Sequence, residues 1–178
     1  MNHRTRSGTR SPARTHHTGA SLLGVYLNDH LAGATGGAER ARHMARSHRG
    51  TDLAAAMEPI SDEITEDRAI LIEIMERLDI PVRHYKIYAG RVAERAGRLK
   101  SNGRLVRRSP LSPLLELEAL RVGVEGKAAV WQTLRDLADD EDRLDPDLLD
   151  SLLERARRQQ GTLEELRRRQ IGPALRTA

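Results

Sequence analysis

The sequence predicts an all-α protein of five helices packed as a bundle, and three observations support this prediction. The 178-residue chain has no Phe, one Trp and three Tyr, so its core must be aliphatic, which suits helices better than sheets. In several long segments, apolar residues recur at steps of three, four or seven, the spacing of one helical face. Gly, Pro, Ser and Asp clusters separate these segments, and none of them alternates as a strand would.

Length and composition bound the class of protein. A chain of this length favours one domain with a sizeable core. It has no cysteine, which excludes disulfides, zinc–thiolate sites and a thiol nucleophile. No apolar run approaches the roughly 18 residues that span a bilayer, so we expect a cytoplasmic protein without membrane contact.

The positive charge is concentrated at the start of the chain. Residues 1–18 contain four arginines and no acidic residue, which leaves 26 of the 30 basic residues to balance 26 acidic ones elsewhere. Almost nothing in this stretch is apolar, so it cannot offset the entropy of ordering. We therefore expect a disordered basic tail over residues 1–18, a helical domain over residues 19–172, and a short C-terminal tail over residues 173–178.

The first predicted helix covers residues 21–46. Its apolar stripe consists of Leu23, Leu27, Leu31, Ala34, Ala38, Ala41 and Ala45. Gly33, Gly36 and Gly37 interrupt it, and each glycine weakens a helix by up to about 1 kcal/mol relative to alanine. Either a closely approaching helix or a cavity would explain such small residues.

The second predicted helix covers residues 52–79, and the rest of the chain is organised around it. We expect Thr51 to be its N-cap and Pro59 to mark a kink or a late start. Its apolar face consists of Leu53, Met57, Ile60, Ile64, Leu71, Ile74, Met75 and Leu78. Asp67 falls inside that face, and a carboxyl group in an apolar stripe needs a partner or a shifted pKa.

Proline and cap residues delimit the remaining helices. Pro81 begins the third predicted helix, which covers residues 81–100. Its apolar side consists of Tyr85, Tyr88, Ala89, Val92, Ala96 and Leu99.

The fourth predicted helix is capped by Ser109 or Ser112 and extends to Leu137. Between residues 111 and 131 it is apolar nearly all round, as expected of a helix surrounded by others. The fifth covers residues 146–170, with Asp145 as N-cap, Pro146 at its first position and Gly172–Pro173 as its end.

A contact between His30 and Asp67 is the first candidate site. A short turn centred near residues 49–50 makes the first two helices antiparallel. Counting back from that turn places His30 level with about residue 69, in the layer of Asp67. Such a pair orients an imidazole, holds a metal or serves acid–base chemistry. A buried structural hydrogen bond is the simpler interpretation.

Two further carboxylates extend this candidate site. Glu118 and Glu125 lie seven residues apart, on one side of the fourth predicted helix. With Glu63 and Asp67 they form a candidate ligand set for divalent metal, since some bundles direct carboxylates inward from facing helices. Alternatively, Glu118, Arg121 and Glu125 form an ordinary surface ladder.

Three segments of the chain carry a resemblance to a known class. They are Tyr-Leu-Asn-Asp-His-Leu at 26–31, Glu-Ile-Thr-Glu-Asp-Arg at 63–68 and Leu-Glu-Leu-Glu at 115–118. Together they resemble uncharacterised actinobacterial proteins of ferritin-like architecture, over residues 20–170. The resemblance implies an antiparallel four-helix core with one extra helix in the crossover. Active members of the class carry Glu-x-x-His on two helices, and this sequence has no such motif, which argues against di-iron chemistry.

A basic connector follows the third predicted helix and is a candidate for nucleic-acid contact. Its cationic residues are Arg98, Lys100, Arg104, Arg107 and Arg108. They and the basic tail are suited to phosphates, but no interleaved aromatic residues stack on bases, and a solvated loop is the alternative interpretation.

These observations rank three functions. The first is a binding or structural protein whose interior polar layer holds a ligand or a metal. The second is a nucleic-acid-associated protein that uses the basic tail and connector, and the third is a di-metal carboxylate oxidase. The sequence leaves open the ligand, any catalysis and any homo-oligomer.

Overall fold

The structure is a computed structural model that describes residues 17–83 and 109–176. These residues contain no strand and confirm the all-α prediction. They form the helices α1 (His17–Ser47), α2 (Asp52–Arg77), α3 (Ser112–Leu137) and α4 (Pro146–Leu175). Most of the helix predicted over residues 81–100 lies outside the described residues, and so does most of the predicted tail.

The four helices pack as two antiparallel hairpins. α1 packs on α2, α3 packs on α4, and the hairpins meet mainly where α1 contacts α3, while α2 approaches α4 less closely. Tyr26, near the start of α1, contacts Thr133, near the end of α3. Arg40, in the second half of α1, contacts Glu116, near the start of α3. α1 is therefore antiparallel to both α2 and α3, so α2 and α3 point the same way. It follows that α2 ends at one end of the bundle and α3 begins at the other.

Helical periodicity places the aliphatic residues of all four helices in one core. The buried face of α2 contains every apolar residue predicted for it from Leu53 to Met75, because residues three and four apart lie on one side of a helix. On α1, Leu27, Leu31, Ala38 and Ala41 are buried as predicted. Trp131 of α3 is the largest fully buried side chain.

Local capping chemistry explains most of the helix ends. The side chain of Thr51 accepts a hydrogen bond from the backbone N–H of Ala54, and Asp145 accepts from the first turn of α4. Both predicted N-caps are thus confirmed. Gly50 has a φ of 82°, a left-handed conformation that favours glycine and ends α1.

Predictions about helix ends and faces differ from the structure in part. The residue directly before α3 is Leu111 and Ser112 is the first helical residue, so Ser112 is not the N-cap. Ser109, the other predicted cap, accepts a hydrogen bond through Oγ from the backbone N–H of Leu111 at 3.3 Å, in the turn that leads into α3. α4 continues through Pro173 to Leu175, because a proline in the last turn removes only one helical hydrogen bond. Nor do other helices surround α3 within the described chain, since Leu115 is 50% exposed and Val122 73% exposed.

Candidate functional site

A layer of charged and polar side chains crosses the middle of the bundle. We call it the charged layer, and its members are Glu63, Glu66 and Asp67 of α2, Lys127 of α3, and Arg155 and Gln159 of α4. Asp67 lies at its centre and is only 1% exposed, which confirms its predicted burial. Its Oδ1 accepts a hydrogen bond from Arg155 Nη1 at 3.0 Å, and its Oδ2 accepts one from Lys127 Nζ.

Gln159 completes the hydrogen bonding of the charged layer. Its Oε1 accepts from Lys127 Nζ, and its Nε2 donates to Glu63 Oε2 at 2.7 Å. Arg155 also forms an ion pair with Glu66 at 3.2 Å. The buried carboxylate therefore has two cationic partners, which a charged group needs in a low-dielectric interior.

The electrostatics of the charged layer indicate a structural role. Burial lowers the pKa of the Lys127 amine, and the neighbouring Asp67 carboxylate opposes that shift. Both oxygens of Asp67 accept hydrogen bonds from cations, so this carboxylate is not a free general base or a free metal ligand. The layer instead links three helices in one register.

His30 does not belong to the charged layer, and its predicted pairing with Asp67 is wrong. Thr35 accepts a hydrogen bond from Arg68 across α1 and α2, so Thr35 is level with that part of α2. His30 lies five residues earlier, or about 7.5 Å along the axis at 1.5 Å per residue. Its ring packs edge-on against Tyr26 with 4.5 Å between centroids, and burial lowers its pKa while Asp29 opposes the shift.

The four predicted metal-binding carboxylates do not converge. Glu118 lies 3.6 Å from Arg167 on the α3–α4 surface, and Glu125 accepts from Gln160 at 2.6 Å on the same surface. Of the set, only Glu63 and Asp67 belong to the charged layer. Within residues 17–83 and 109–176, no three His, Cys, Asp or Glu side chains are grouped to hold a metal ion. The alternative interpretation, in which Glu118, Arg121 and Glu125 lie on the surface, agrees better with the structure. Their ion pairs and hydrogen bonds, however, join α3 to α4 and do not connect residues within α3.

A second feature is a cavity of about 820 Å³ between α1, α2 and α3. Ile64 and Leu71 of α2 line one wall, and Val124, Val130 and Trp131 of α3 line another. This volume is within the range of small-molecule sites, which are mostly apolar with a few placed polar groups.

Small residues keep this cavity open. α1 contributes Gly33, Gly36 and Gly37, and α3 contributes Gly123 and Gly126. A Cβ atom built on any of these five glycines meets no heavy atom within 4 Å. Close packing of a neighbouring helix therefore does not explain these glycines. The cavity, which was the other explanation offered by the sequence, does explain them.

Polar groups line the cavity from all three helices. Asp67 and Arg68 come from α2 and Lys127 from α3, and α1 contributes Asp29, His30, Thr35, Glu39, Arg40 and His43. Trp131 also lines it, and the buried indole Nε1 of this residue has no hydrogen-bond acceptor among the described residues. The cavity thus combines apolar and glycine walls with charged groups of both signs.

Sequence reasoning missed four members of the charged layer, Glu66, Lys127, Arg155 and Gln159, although the criterion that selected Asp67 applies to two of them. Lys127 lies three residues after Val124 and four before Trp131, on the buried face of α3. Gln159 lies three after Ala156 and four before Leu163, on the buried face of α4. A polar residue inside an apolar stripe was the signal in each case. Arg155 flanks its stripe and carries no such signal.

The basic connector candidates, from Arg98 to Arg108, lie outside the described residues, as does the arginine-rich start of the chain. Over residues 17–83 and 109–176, no helix is long and apolar enough to cross a membrane. Comparison with protein-family models, curated proteins and solved structures gives no match for this chain. Among the described residues, the charged layer and the cavity are the two features that bear on function.

Proposed function

We propose that this protein is a ferritin-like helical bundle that binds a small, largely apolar molecule in the cavity between α1, α2 and α3. The observation that carries the proposal is the cavity itself, of about 820 Å³ and with predominantly aliphatic and glycine walls. Such a concave apolar site with a few convergent polar groups is the usual form of a ligand pocket.

Helix direction supports the ferritin-like part of the proposal. Since α2 and α3 are parallel, one long connection must join the two hairpins, and one long crossover is the connectivity of ferritin-like bundles. The charged layer takes the interior position at which metal-binding members of that class place carboxylates. Here two cations neutralise Asp67, which favours binding over metal chemistry.

The cost of the glycines supports a role for the cavity. Each glycine inside a helix destabilises it by roughly 0.5–1 kcal/mol relative to alanine. Five of them line one cavity, and none of the five is required by a neighbouring atom. A sequence that keeps such residues retains open volume at the expense of stability, as expected where a ligand occupies that volume.

A fluorescence titration tests the proposal with the neutral apolar probe N-phenyl-1-naphthylamine. Trp131 is the only tryptophan and lines the cavity, so probe binding should both enhance probe emission and quench Trp131. Gly126→Leu should weaken binding about tenfold or more, because the new side chain occupies the cavity. The matched control is Gly161→Leu, since Gly161 of α4 also has open space around its Cβ position but does not line the cavity.

Two results would overturn the proposal. Equal probe affinity in both leucine variants and the parent would place the probe elsewhere. Absence of probe binding by the parent would mean that the cavity does not take up a small apolar molecule. Circular dichroism should show that both variants are folded, because leucine is a better helix former than glycine by about 0.8 kcal/mol.

A further inference from the structure

The cations that line the cavity differ in how they are neutralised. Arg40 forms an ion pair with Glu116 at 3.3 Å, and Lys127 forms one with Asp67. Arg68 also lines the cavity and is partly buried. Within residues 17–83 and 109–176 it pairs with no carboxylate, and its hydrogen bond is to the hydroxyl of Thr35. Arg68 is therefore the one cation of the cavity lining that forms no direct ion pair within the described residues, although two further carboxylates, of Asp29 and Glu39, line the same cavity.

Thr35 holds the guanidinium of Arg68 in a defined position. Arg68 Nε donates to Thr35 Oγ1 at 2.9 Å, and Thr35 Oγ1 donates to the carbonyl oxygen of Leu31, also at 2.9 Å. The hydroxyl is thus fixed as an acceptor from the arginine. A guanidinium has five N–H donors, and the four on its two Nη atoms remain to bind a ligand.

We propose that the ligand of this cavity is an amphiphile with a carboxylate, bound by Arg68 and positioned by Thr35. This inference rests on the proposed binding function. A guanidinium matches a carboxylate with two parallel charge-assisted hydrogen bonds. Asp29 and Glu39 also line the cavity, and their negative charge disfavours a doubly charged phosphate more than a singly charged carboxylate. The apolar part of the ligand would lie along Ile64, Leu71 and Val124, which line the same cavity.

The chain contains a matched control for Arg68. Arg42 of α1 donates from Nη2 to Thr65 of α2 at 3.2 Å, so it makes an equivalent arginine–threonine bond across the same pair of helices. Arg42 does not line the cavity. Loss of an interhelical bond affects both arginine variants, whereas loss of the ligand contact affects only the variant at Arg68.

The experiment measures displacement of N-phenyl-1-naphthylamine by decanoate and by decanol at neutral pH. Two ligands of equal chain length isolate the contribution of the carboxylate. We expect Arg68→Gln to weaken decanoate binding about tenfold or more, as for loss of a charge-assisted bond, and to leave decanol binding within about twofold. Arg42→Gln should change neither ligand. Thr35→Val should weaken the binding of decanoate but not of decanol, whereas Thr35→Ser should keep the affinity of the parent for decanoate.

The possible outcomes separate this inference from the proposed function. If the probe and decanol bind the parent but decanoate shows no preference and no dependence on Arg68, the carboxylate inference is wrong and the cavity proposal stands. Equal loss of both ligands in Arg68→Gln would also overturn it, because the arginine would then be structural. If neither the probe nor either ligand binds the parent, the proposed function itself fails.

Discussion

Replacing Lys127 by methionine removes the ammonium group that neutralises the buried carboxylate of Asp67. The two side chains have similar length, so the change removes a charge with little change in volume. Asp67 is 1% exposed and Lys127 has an 11% exposed side chain, so water solvates the carboxylate only poorly in place of the missing partner. Asp67 keeps its 3.0 Å bond to Arg155, which limits the loss.

The expected magnitude follows from this geometry. Removing one partner of a buried ion pair costs about 3–5 kcal/mol, because the other charge is left in the interior. The remaining bond to Arg155 places Lys127→Met near the lower limit, about 3 kcal/mol, which corresponds to roughly 6–12 °C in Tm for a chain of this size. Asp67→Asn should cost a similar amount, since Lys127 then stays buried without its anion.

The double variant Asp67→Asn/Lys127→Met should be less destabilised than the sum of the single variants. With both charges removed, neither side chain is left as an unpaired buried ion, and Arg155 still pairs with the exposed Glu66. We expect a total cost of about 1–2 kcal/mol, and hence a coupling free energy of roughly 4 kcal/mol. Urea denaturation followed by circular dichroism measures all four proteins. Additive single costs would refute the assignment of a coupled buried pair.

Two further predictions concern local features. Hydrogen bonds from Arg167 and Arg168 lower the pKa of Glu164 from 4.5 to about 2. Because the folded-state pKa is the lower one, its stabilising contribution is present above the unfolded pKa and lost as the pH falls towards about 2. Glu164→Gln should therefore flatten the dependence of urea midpoint on pH between about 5 and 2, and an unchanged slope would contradict this. Thr51→Ala should lower the free energy of unfolding by about 1 kcal/mol through loss of the N-cap, whereas Thr162→Ala inside α4 should not, and equal effects would argue against the cap.

The sequence by itself determined the helices and their buried faces. Periodicity, caps and turn residues are encoded within a few consecutive residues, so Thr51 and Asp145 could be recognised as caps without knowledge of neighbouring helices. The burial of Asp67 followed from the same local pattern. Before α3 the local signal left two serines as alternative caps, and Ser109 is the one that accepts a hydrogen bond from a backbone N–H there.

Only the tertiary structure decided what Asp67 contacts and what the glycines of α1 face. Partners across helices depend on register, and an error of five residues along α1 displaces a side chain by about 7.5 Å and rotates it to another face. That displacement separates His30 from Asp67 and brings Thr35 to Arg68. The charged layer needs side chains from three helices at once, and the cavity arises where small residues of α1 and α3 face each other. Both features depend on how the helices are placed relative to one another, which no single segment of the sequence specifies.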